Sequence, residues 1–554
     1  MKKILLVAIN ARYTHSCLAL YCLKSFARDL GHDIVIREFS INRRIDAIIA
    51  DIVAEQSDAV AFSVYIWNVE LIKQMLPAVQ ELRKKCMILL GGPEVSYNPE
   101  SWLEAFPGVD CIIIGGGEAG FRRLLEENLS LREKIIRIPN PRFETMPMPY
   151  ASEDLEALKN KYIYYESSRG CPFHCSYCLS SRGDQELEMK RTDTVKDELR
   201  FILSHGPQLI KFVDRTFNIR HEHYRAIWAF LLENCSGGHT KFHFEIHPSH
   251  LDEDDFAILA RCPEDMFQFE IGVQSTNPET LAAVGRTGRW NEEKEAIRRL
   301  ISLGTIRVHC DMIAGLPYDD MASLARTFDE LYGLRPDHLQ VGFLKLLPGT
   351  EMRERSEEYG NSHSQYSPYQ VLENRWLSRA DMRLVEKIAF LIDRLYNTRR
   401  FDLTLNALAG RYESPFNLYR DLARIRDAAG APLTRRWETG ADFLMRAAIT
   451  RFPGKKSFFL DALRWDWCAG TRSHRYPDLI KPENAAGIKK SGYSFFRDMA
   501  EDSAVRYRDA TFELSDLKRA LFFKAESDEF RHIQMDSYSC ALFLPEKKVI
   551  FYNA

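Results

Sequence analysis

Short apolar runs alternate with amphipathic helical stretches twice along this 554-residue chain, and this alternation constrains its fold most strongly. The strand-like runs of the first series are 3–9, 33–38, 59–63, 87–90 and 111–114. Continuous apolar strands between amphipathic helices are typical of a parallel sheet covered on both faces. The sequence therefore predicts a doubly wound, flavodoxin-like α/β domain over residues 1–138.

Small or polar residues follow several of these strands. Ligands of doubly wound sheets bind at the carboxyl ends of the strands, and glycines there let a large flat ligand approach the backbone. The candidate lining residues are Asn10, Ala11, Arg12, Tyr13, Ser63, Val64, Tyr65, Gly91, Gly92, Glu94, Gly115, Gly117 and Glu118.

The glycine-rich turn after the fifth strand formally fits G-x-G-x-x-G, from Gly115 to Gly120. The dinucleotide fingerprint belongs after the first strand of a βαβ unit, with an acidic residue at the end of the next strand. Here the next apolar run ends in Pro139 and Asn140. Nicotinamide binding is therefore not favoured.

Three cysteines, Cys171, Cys175 and Cys178, are spaced C-x-x-x-C-x-x-C after a strand-like run. Three thiols on one loop are typical of a metal site. Three cysteines binding a 4Fe–4S cluster would leave one iron open to a substrate or cofactor. The alternative is zinc with His174 as fourth ligand, although adjacency to Cys175 makes it awkward for both to bind one tetrahedral ion.

The twelve cysteines bear on the cellular compartment. Outside the triplet they occur singly in apolar patterns, as reduced core cysteines do, so we expect a cytoplasmic protein without a disulfide framework. We find neither a signal peptide nor a run long enough to span a membrane. The net charge of −3 gives no reason to expect general nucleic-acid binding.

A second alternating series, over 161–352, follows a proline-rich linker at 139–160. Its strand-like runs are 162–167, 209–214, 241–246, 266–273, 307–313 and 337–346. Six parallel strands with intervening helices predict a (β/α)6 partial TIM barrel, with catalytic groups on the loops after the strands. The cysteine triplet follows the first strand, and Asp214, Glu245, Gln274 and Asp311 lie at later strand ends.

The triplet, with Tyr177 before its last cysteine, resembles the signature of the radical S-adenosylmethionine superfamily. The later strand-end motifs are similar to those of coproporphyrinogen oxidases, methylthiotransferases and cobalamin-dependent radical enzymes. The first domain resembles the cobalamin-binding domain that precedes many of these enzymes. It has no D-x-H-x-x-G pattern, so any cobalamin here would lack the histidine ligand that this pattern supplies.

The resemblance implies specific site residues. Cys171, Cys175 and Cys178 would bind a 4Fe–4S cluster whose open iron chelates S-adenosylmethionine. The implied S-adenosylmethionine contacts are Phe173, Tyr177, Asp214, Glu245, Gln274, Ser275, Arg286 and Asp311. The strand-end residues of the first domain would line cobalamin. One departure is Asp214-Arg215-Thr216-Phe217, where a glycine-rich segment often follows the second strand.

The same resemblance implies an activity. Reductive cleavage of S-adenosylmethionine would give a 5′-deoxyadenosyl radical that abstracts hydrogen, followed by methyl transfer from methylcobalamin to an unidentified substrate. An electron donor such as flavodoxin or ferredoxin is implied. The alternatives are rearrangement or cyclisation without methyl transfer, methylthiotransferase-like RNA modification, and a cobalamin or redox sensor without catalysis.

The last third of the chain, 353–554, loses the strand–helix alternation. Its amphipathic patterns predict a mostly α-helical domain, and 539–544 with 548–552 predict a terminal β-hairpin. We expect this region to shape the entrance for the substrate.

Overall fold

A computed structural model describes residues 1–181, 186–235, 237–286, 288–430, 433–471, 473, 475–545 and 548–553. The chain forms two compact units. The first comprises residues 1–327, 334–336 and 342–382, and the second comprises 328–333, 337–341 and the chain from residue 383 onward.

The N-terminal domain is built on a six-stranded parallel sheet in the order β2-β1-β3-β4-β5-β6. Its strands are β1 (Lys3–Asn10), β2 (Asp33–Ser40), β3 (Ala59–Ser63), β4 (Met87–Gly91), β5 (Cys111–Ile114) and β6 (Ile135–Arg137). The order of the first five strands is that of flavodoxin-like folds, so the predicted doubly wound sheet is confirmed.

Helices cover both faces of this sheet. They are α1 (Leu18–Phe26), α2 (Ile45–Ala54), α3 (Val69–Leu82), α4 (Pro93–Ser96), α5 (Pro99–Ala105) and α6 (Glu118–Glu126). Because successive strand residues point to opposite faces, Leu5 and Val7 pack with α2 and α3, whereas Ile4 and Leu6 pack with α1 and α6. Both faces of β1 are apolar for this reason.

The connecting segment contains a short 3-10 helix (Phe143–Thr145) and one α-helix, α7 (Ser152–Ala157). Two short strands, β8 (Ser168–Arg169) and β9 (Glu188–Met189), pair antiparallel.

The six barrel strands lie in the order β7-β10-β11-β12-β13-β14. They are β7 (Ile163–Tyr165), β10 (Leu209–Phe212), β11 (Lys241–Glu245), β12 (Phe267–Gln274), β13 (Arg307–Ala314) and β14 (His338–Phe343). The partial barrel is confirmed.

One face of the barrel sheet is apolar and the other is polar. The connecting helices are α8 (Thr192–Leu203), α9 (His221–Cys235), α10 (Glu253–Leu259), α11 (Pro278–Ala283), α12 (Trp290–Ser302) and α13 (Met321–Leu334). On β12, Phe267, Phe269 and Ile271 are fully buried, whereas Gln268 and Glu270 between them are partly accessible. The interior of a closed barrel is filled with bulky branched residues. A polar inner face instead suits a ligand cavity.

The remaining chain is mostly helical, as predicted. After α14 (Glu351–Glu354) and the antiparallel pair β15 (Ser362–His363) and β16 (Val371–Glu373), the described residues form seven α-helices. These are α15 (Arg379–Leu391), α16 (Asp402–Ala409), α17 (Pro415–Ala429), α18 (Trp437–Arg451), α19 (Lys456–Gly470), α20 (Ala485–Arg497) and α21 (Asp528–Gln534).

Two three-stranded antiparallel sheets lie in the last sixty residues, where the sequence predicts one hairpin. Their strands are β17 (Ala500–Glu501), β18 (Ala504–Tyr507), β19 (Ala510–Glu513), β20 (Leu521–Lys524), β21 (Cys540–Phe543) and β22 (Val549–Tyr552). Strands β21 and β22 pair as a hairpin. Glu546 and Lys547, in its predicted turn, lie outside the described residues. The boundaries assigned to the domains stay predictions.

Across the part of the chain that the structure describes, no helix combines the length and the apolar run needed to cross a membrane.

Candidate functional site

The cysteine loop starts directly after β8. The short ladder between β8 and β9 closes the base of this loop. Gly170 lies at the junction with φ of +96°, and a Cβ atom there would lie 2.8 Å from the carbonyl oxygen of Glu186. Only glycine fits both the backbone conformation and this close approach.

Backbone hydrogen bonds hold the loop from two sides. The Ser176 amide donates to the carbonyl of Val284 at 3.0 Å, and its own carbonyl accepts from the amide of Met352 at 2.9 Å. Within the loop, the Cys178 amide donates to the Cys175 carbonyl at 2.9 Å. The loop is therefore fixed both by the segment after α11 and by the start of α14.

The three thiols share one electrostatic environment. Cys175 is buried, and Cys171 and Cys178 are half-buried. Burial raises the pKa of Cys171, and negative charge on Cys178 and Cys175 raises it further. Three thiolate donors on one loop fit the three protein-bound irons of a 4Fe–4S cluster. Arg286 supplies positive charge close to Cys175.

Asp214, at the carboxyl end of β10, is fully buried. Its carboxylate accepts hydrogen bonds from the Ser167 amide (3.0 Å), the Ser167 hydroxyl (2.6 Å) and the Ser168 hydroxyl (2.6 Å). Burial outweighs these bonds and raises the pKa of Asp214 to about 6. Asp214 thus holds the turn that leads into the cysteine loop. Its contact with S-adenosylmethionine stays a prediction.

Two other predicted S-adenosylmethionine contacts have unused hydrogen-bonding capacity. Among the described residues, no side-chain hydrogen bond reaches the half-buried carboxylate of Glu245, and Gln274 Oε1 is buried without a hydrogen-bond partner. Burial raises the pKa of Glu245 to about 7. Carbonyl and carboxylate oxygens that accept no hydrogen bond from the protein suit a ligand that donates hydrogen bonds, as hydroxyl and ammonium groups do.

The remaining predicted contacts surround the cysteine loop. Phe173 stacks on His247, with ring centroids 5.1 Å apart. Tyr177 is half-buried, and Arg286 donates to the backbone carbonyl of Gly272. Ser275 is fully buried and accepts from the amide of Asn277 at 3.1 Å. Phe173, Tyr177 and Arg286 thus lie near the triplet, whereas Ser275 stabilises a turn.

The inner face of the barrel carries a charged cluster that the sequence analysis missed. His243 Nε2 lies 3.0 Å from a carboxylate oxygen of Glu270, and His309 Nε2 lies 2.9 Å from Asp311 Oδ1. Burial alone would raise the pKa of Glu270, but the His243 hydrogen bond and the charge of His309 lower it to about 2. The sequence signal that could have revealed this cluster is the alternation of polar and apolar residues along β12 and β13.

The carboxyl edge of the N-terminal sheet has exposed aromatic and backbone surface. Tyr13 is 69% exposed, and Tyr65 stacks on Trp67 with ring centroids 4.5 Å apart and planes within 5°. Around Gly115, which has φ of +89°, a Cβ atom would have no described atom within 4 Å. This edge fits a large flat cofactor. Trp67 was missed because it lies four residues beyond the strand.

Other predicted cobalamin contacts are less accessible. Asn10, Ser63 and Val64 are buried. A Cβ atom on Gly92 would lie 2.6 Å from the Val64 carbonyl, so this glycine is required by the packing of neighbouring strand ends. Ala11 and Gly91 are partly accessible, and Arg12 is exposed.

Both predicted carboxylates at this edge bind protein groups. Glu94 is buried and accepts from the Tyr369 hydroxyl at 2.7 Å. Glu118 is also buried, and its carboxylate accepts from Arg169 Nη1 at 3.0 Å and from Asn140 Nδ2. Arg169 immediately precedes Gly170. The Glu118–Arg169 ion pair therefore joins the glycine-rich turn of the first domain to the base of the cysteine loop.

His15 is the histidine nearest to a strand end of the first domain. Its Nδ1 atom lies 2.6 Å from the Tyr164 hydroxyl on β7. Burial lowers the pKa of His15, and the charges of Lys211 and Arg12 lower it further. His15 therefore links the first domain to the barrel.

Three family models match separate parts of the chain. Residues 4–125 match the B12 binding domain, and residues 165–331 match the radical SAM superfamily. Residues 357–537 match a protein family of unknown function, DUF4080.

Two curated proteins are similar over parts of their length. The cobalamin-dependent radical SAM methyltransferase TokK of Streptomyces tokunonensis is 23% identical over 338 residues, covering 55% of this chain and 50% of TokK. The hopanoid C-3 methylase of Methylococcus capsulatus is 25% identical over 327 residues, covering 54% of this chain and 61% of that protein. The chain thus spans only about half to three-fifths of these relatives.

Solved structures also match most of the chain. The cobalamin-dependent S-adenosylmethionine radical enzyme OxsB, with aqua-cobalamin and S-adenosylmethionine bound, superposes with a TM-score of 0.58 at 17% identity. The match covers 94% of this chain and 83% of that chain. At this identity the likeness establishes the fold.

Proposed function

We propose that this chain, in which a B12-binding domain precedes a radical SAM domain, is a cobalamin-dependent radical S-adenosylmethionine enzyme that methylates a carbon atom of its substrate. When bound, a cluster held by Cys171, Cys175 and Cys178 would supply the electron for reductive cleavage of S-adenosylmethionine, and cobalamin would supply methyl-transfer chemistry. The main support is the ion pair of Arg169 with Glu118, because it ties the candidate cluster loop to the candidate cobalamin edge.

The protein side chains bind and orient in this proposal. Cys171, Cys175 and Cys178 hold the cluster. Glu245 and Gln274 accept hydrogen bonds from S-adenosylmethionine, because their oxygens have capacity that the described protein groups do not use. A guanidinium group suits a carboxylate, so we assign Arg286 to the carboxylate of S-adenosylmethionine. Asp311 is assigned to a donor group on the same ligand.

The inner barrel face supports a polar substrate site next to these residues. Glu270 and His309 lie at one level of the barrel, since Glu270 pairs with Glu245 on one side and with His309 on the other. A substrate seated there would lie beside the S-adenosylmethionine contacts. We assign no acid or base role to either side chain.

The reaction needs an external reductant, and we infer flavodoxin or ferredoxin as its source. We also infer a cytoplasmic location. Outside the triplet, Cys17, Cys22, Cys86 and Cys235 are among the cysteines that form no disulfide, which is the state expected in a reducing compartment.

Cobalamin binding can be tested by uptake of hydroxocobalamin during anaerobic reconstitution. Gly115→Leu places a side chain into open space at the proposed cobalamin edge. Gly31→Leu is the matched control, because Gly31 also has positive φ (+69°) and open surroundings but lies before β2, at the opposite end of the strands. We expect Gly115→Leu to lose uptake and Gly31→Leu to keep it. Equal uptake by both variants would contradict the cobalamin assignment.

The fate of the methyl group distinguishes methylation from the alternatives. With a strong reductant, a methylase is expected to consume two molecules of S-adenosylmethionine: one yields 5′-deoxyadenosine and methionine, and the other gives up its methyl group and leaves as S-adenosylhomocysteine. Formation of 5′-deoxyadenosine alone would support rearrangement or cyclisation instead.

A further inference from the structure

The second unit contains an open cavity lined by four arginines. Its volume is about 370 Å³, and Arg411, Arg420, Arg424 and Arg451 contribute to its wall. We call it the arginine cavity. It lies around α17 and the end of α18, within the part of the chain that matches DUF4080.

Two of these arginines already bind protein carboxylates. Arg451 Nε donates to Asp421 at 2.6 Å, and the Tyr412 hydroxyl donates to the same carboxylate at 2.7 Å. Arg411 Nη2 donates to Glu529 at 2.9 Å, and its guanidinium lies over the ring of Phe458. These two side chains hold the wall of the cavity together.

The other two arginines have no such partners. No hydrogen bond or ion pair reaches the guanidinium of Arg420 or Arg424 from any residue that the structure describes. They lie four residues apart on α17, so they occupy one face of the helix, where like charges repel. Arg420 is half-buried and Arg424 is exposed. An anion between them would relieve the repulsion.

The C-terminal part of the chain has a net positive charge, like the two arginines. Residues 383–554 contain 30 lysines and arginines against 23 aspartates and glutamates, whereas the entire chain has 75 against 78. The basic excess is therefore confined to the C-terminal part. Such an excess raises the local concentration of anionic ligands.

The size and lining of the cavity indicate the class of anion. A cavity of about 370 Å³ is larger than a bare phosphate requires and lies in the range of small-molecule sites. Tyr412 and Phe452 add aromatic surface, with ring planes perpendicular and centroids 5.9 Å apart. Guanidinium groups match phosphate oxygens through paired N–H donors.

We propose that the arginine cavity binds a small organic phosphate, with Arg420 and Arg424 as its phosphate ligands. The site would give the C-terminal region a recognition role of its own. It stands apart from the proposed radical chemistry, because none of its residues belongs to the cysteine loop or to a strand end.

Isothermal titration of the full-length protein tests the site at low salt, with pyrophosphate and glucose 6-phosphate as probes and glucose as the uncharged comparison. The test variant is Arg420→Gln/Arg424→Gln, which breaks no side-chain hydrogen bond or ion pair between described residues. The matched control is Arg436→Gln/Arg446→Gln, which removes two arginines from exposed positions outside the cavity. Circular dichroism checks that both variants are folded.

We expect saturable binding of both phosphates and none of glucose. The cavity variant should weaken binding by about tenfold or more, and the control by less than about twofold, because charge-assisted hydrogen bonds are local. Unchanged binding by the cavity variant, or equal weakening by the control, would overturn the proposal. Single-stranded RNA that binds more tightly than either phosphate through the same two arginines would overturn the assignment to a small ligand.

Discussion

At the scale of single residues, buried polar side chains fix the turn that leads into the cysteine loop. Asp214 accepts three hydrogen bonds from Ser167 and Ser168, and His223 Nε2 lies 3.2 Å from the Ser167 hydroxyl. The sequence places Asp214 at a strand end and cannot reveal that serines far earlier in the chain use its oxygens. A polar residue at a strand end can therefore bind a ligand or stabilise a turn, and only the structure shows which of the two it does.

His223 makes the stability of the first unit depend on pH. Burial lowers the pKa of His223 to about 4, so the folded state favours the neutral ring. Above the unfolded pKa of about 6.5 the ring is neutral in both states; as the pH falls towards 4 the unfolded state takes up a proton first, so the free energy of unfolding decreases, by about 2 kcal/mol at pH 5. In urea unfolding, the decrease in unfolding free energy from pH 7 to pH 5 should be smaller for His223→Gln than for the wild type. An identical difference in the variant would contradict this account.

Glu118 and Arg169 form an ion pair between the first domain and the base of the cysteine loop. Glu118→Gln removes the charge of a carboxylate that is 2% exposed, so we expect a loss of about 1–3 kcal/mol in unfolding free energy. The comparison is Asp29→Asn, which breaks the exposed ion pair with Arg122 in the same domain and should change stability little. Equal effects of the two substitutions in urea unfolding would refute the role given to Glu118.

At the scale of elements, the carboxyl ends of β3 and β4 pack against each other through Gly92. Gly92→Ala should cost about 2 kcal/mol or more, because the new Cβ meets the Val64 carbonyl and the backbone has φ of +108°. Gly115→Ala carries the backbone strain without the clash and should cost about 1 kcal/mol. Thermal unfolding of the apo-protein compares the two. A larger loss for Gly115→Ala would contradict the packing argument.

Most strands of the two parallel sheets were predictable to within a residue or two. The fourth run, predicted at 87–90, is Met87–Gly91, and the sixth barrel run, predicted at 337–346, is the shorter His338–Phe343. Long apolar strands between helices give a strong periodic signal. Strands β17 to β20 of the two C-terminal sheets were not predicted, because strands of at most four residues are too short for an alternating pattern to stand out.

The candidate site was predictable only in part. The cysteine spacing is local in sequence, so it was visible at once. The pairing of Glu118 with Arg169 and of Glu94 with Tyr369 joins residues that are distant in the chain, and no local pattern reveals such contacts. The arginine cavity likewise depends on which charges are neutralised by Asp421 and Glu529.

At the scale of the whole molecule, two βα series are combined with a C-terminal region of opposite charge balance. The first unit contains every residue assigned to the cluster, to S-adenosylmethionine and to cobalamin. The arginine cavity lies in the second unit. The proposed radical chemistry and the proposed anion binding can therefore be tested by separate mutations.

The most direct test of the central claim is the formation of 5′-deoxyadenosine by the anaerobically reconstituted protein with S-adenosylmethionine and dithionite. We predict formation by the wild type and at least about a hundredfold less by Cys171→Ala, Cys175→Ala and Cys178→Ala, because each substitution removes a cluster ligand. Cys235→Ala, which changes a buried cysteine outside the triplet, should keep the wild-type rate. Full activity in any of the three triplet variants would contradict the account.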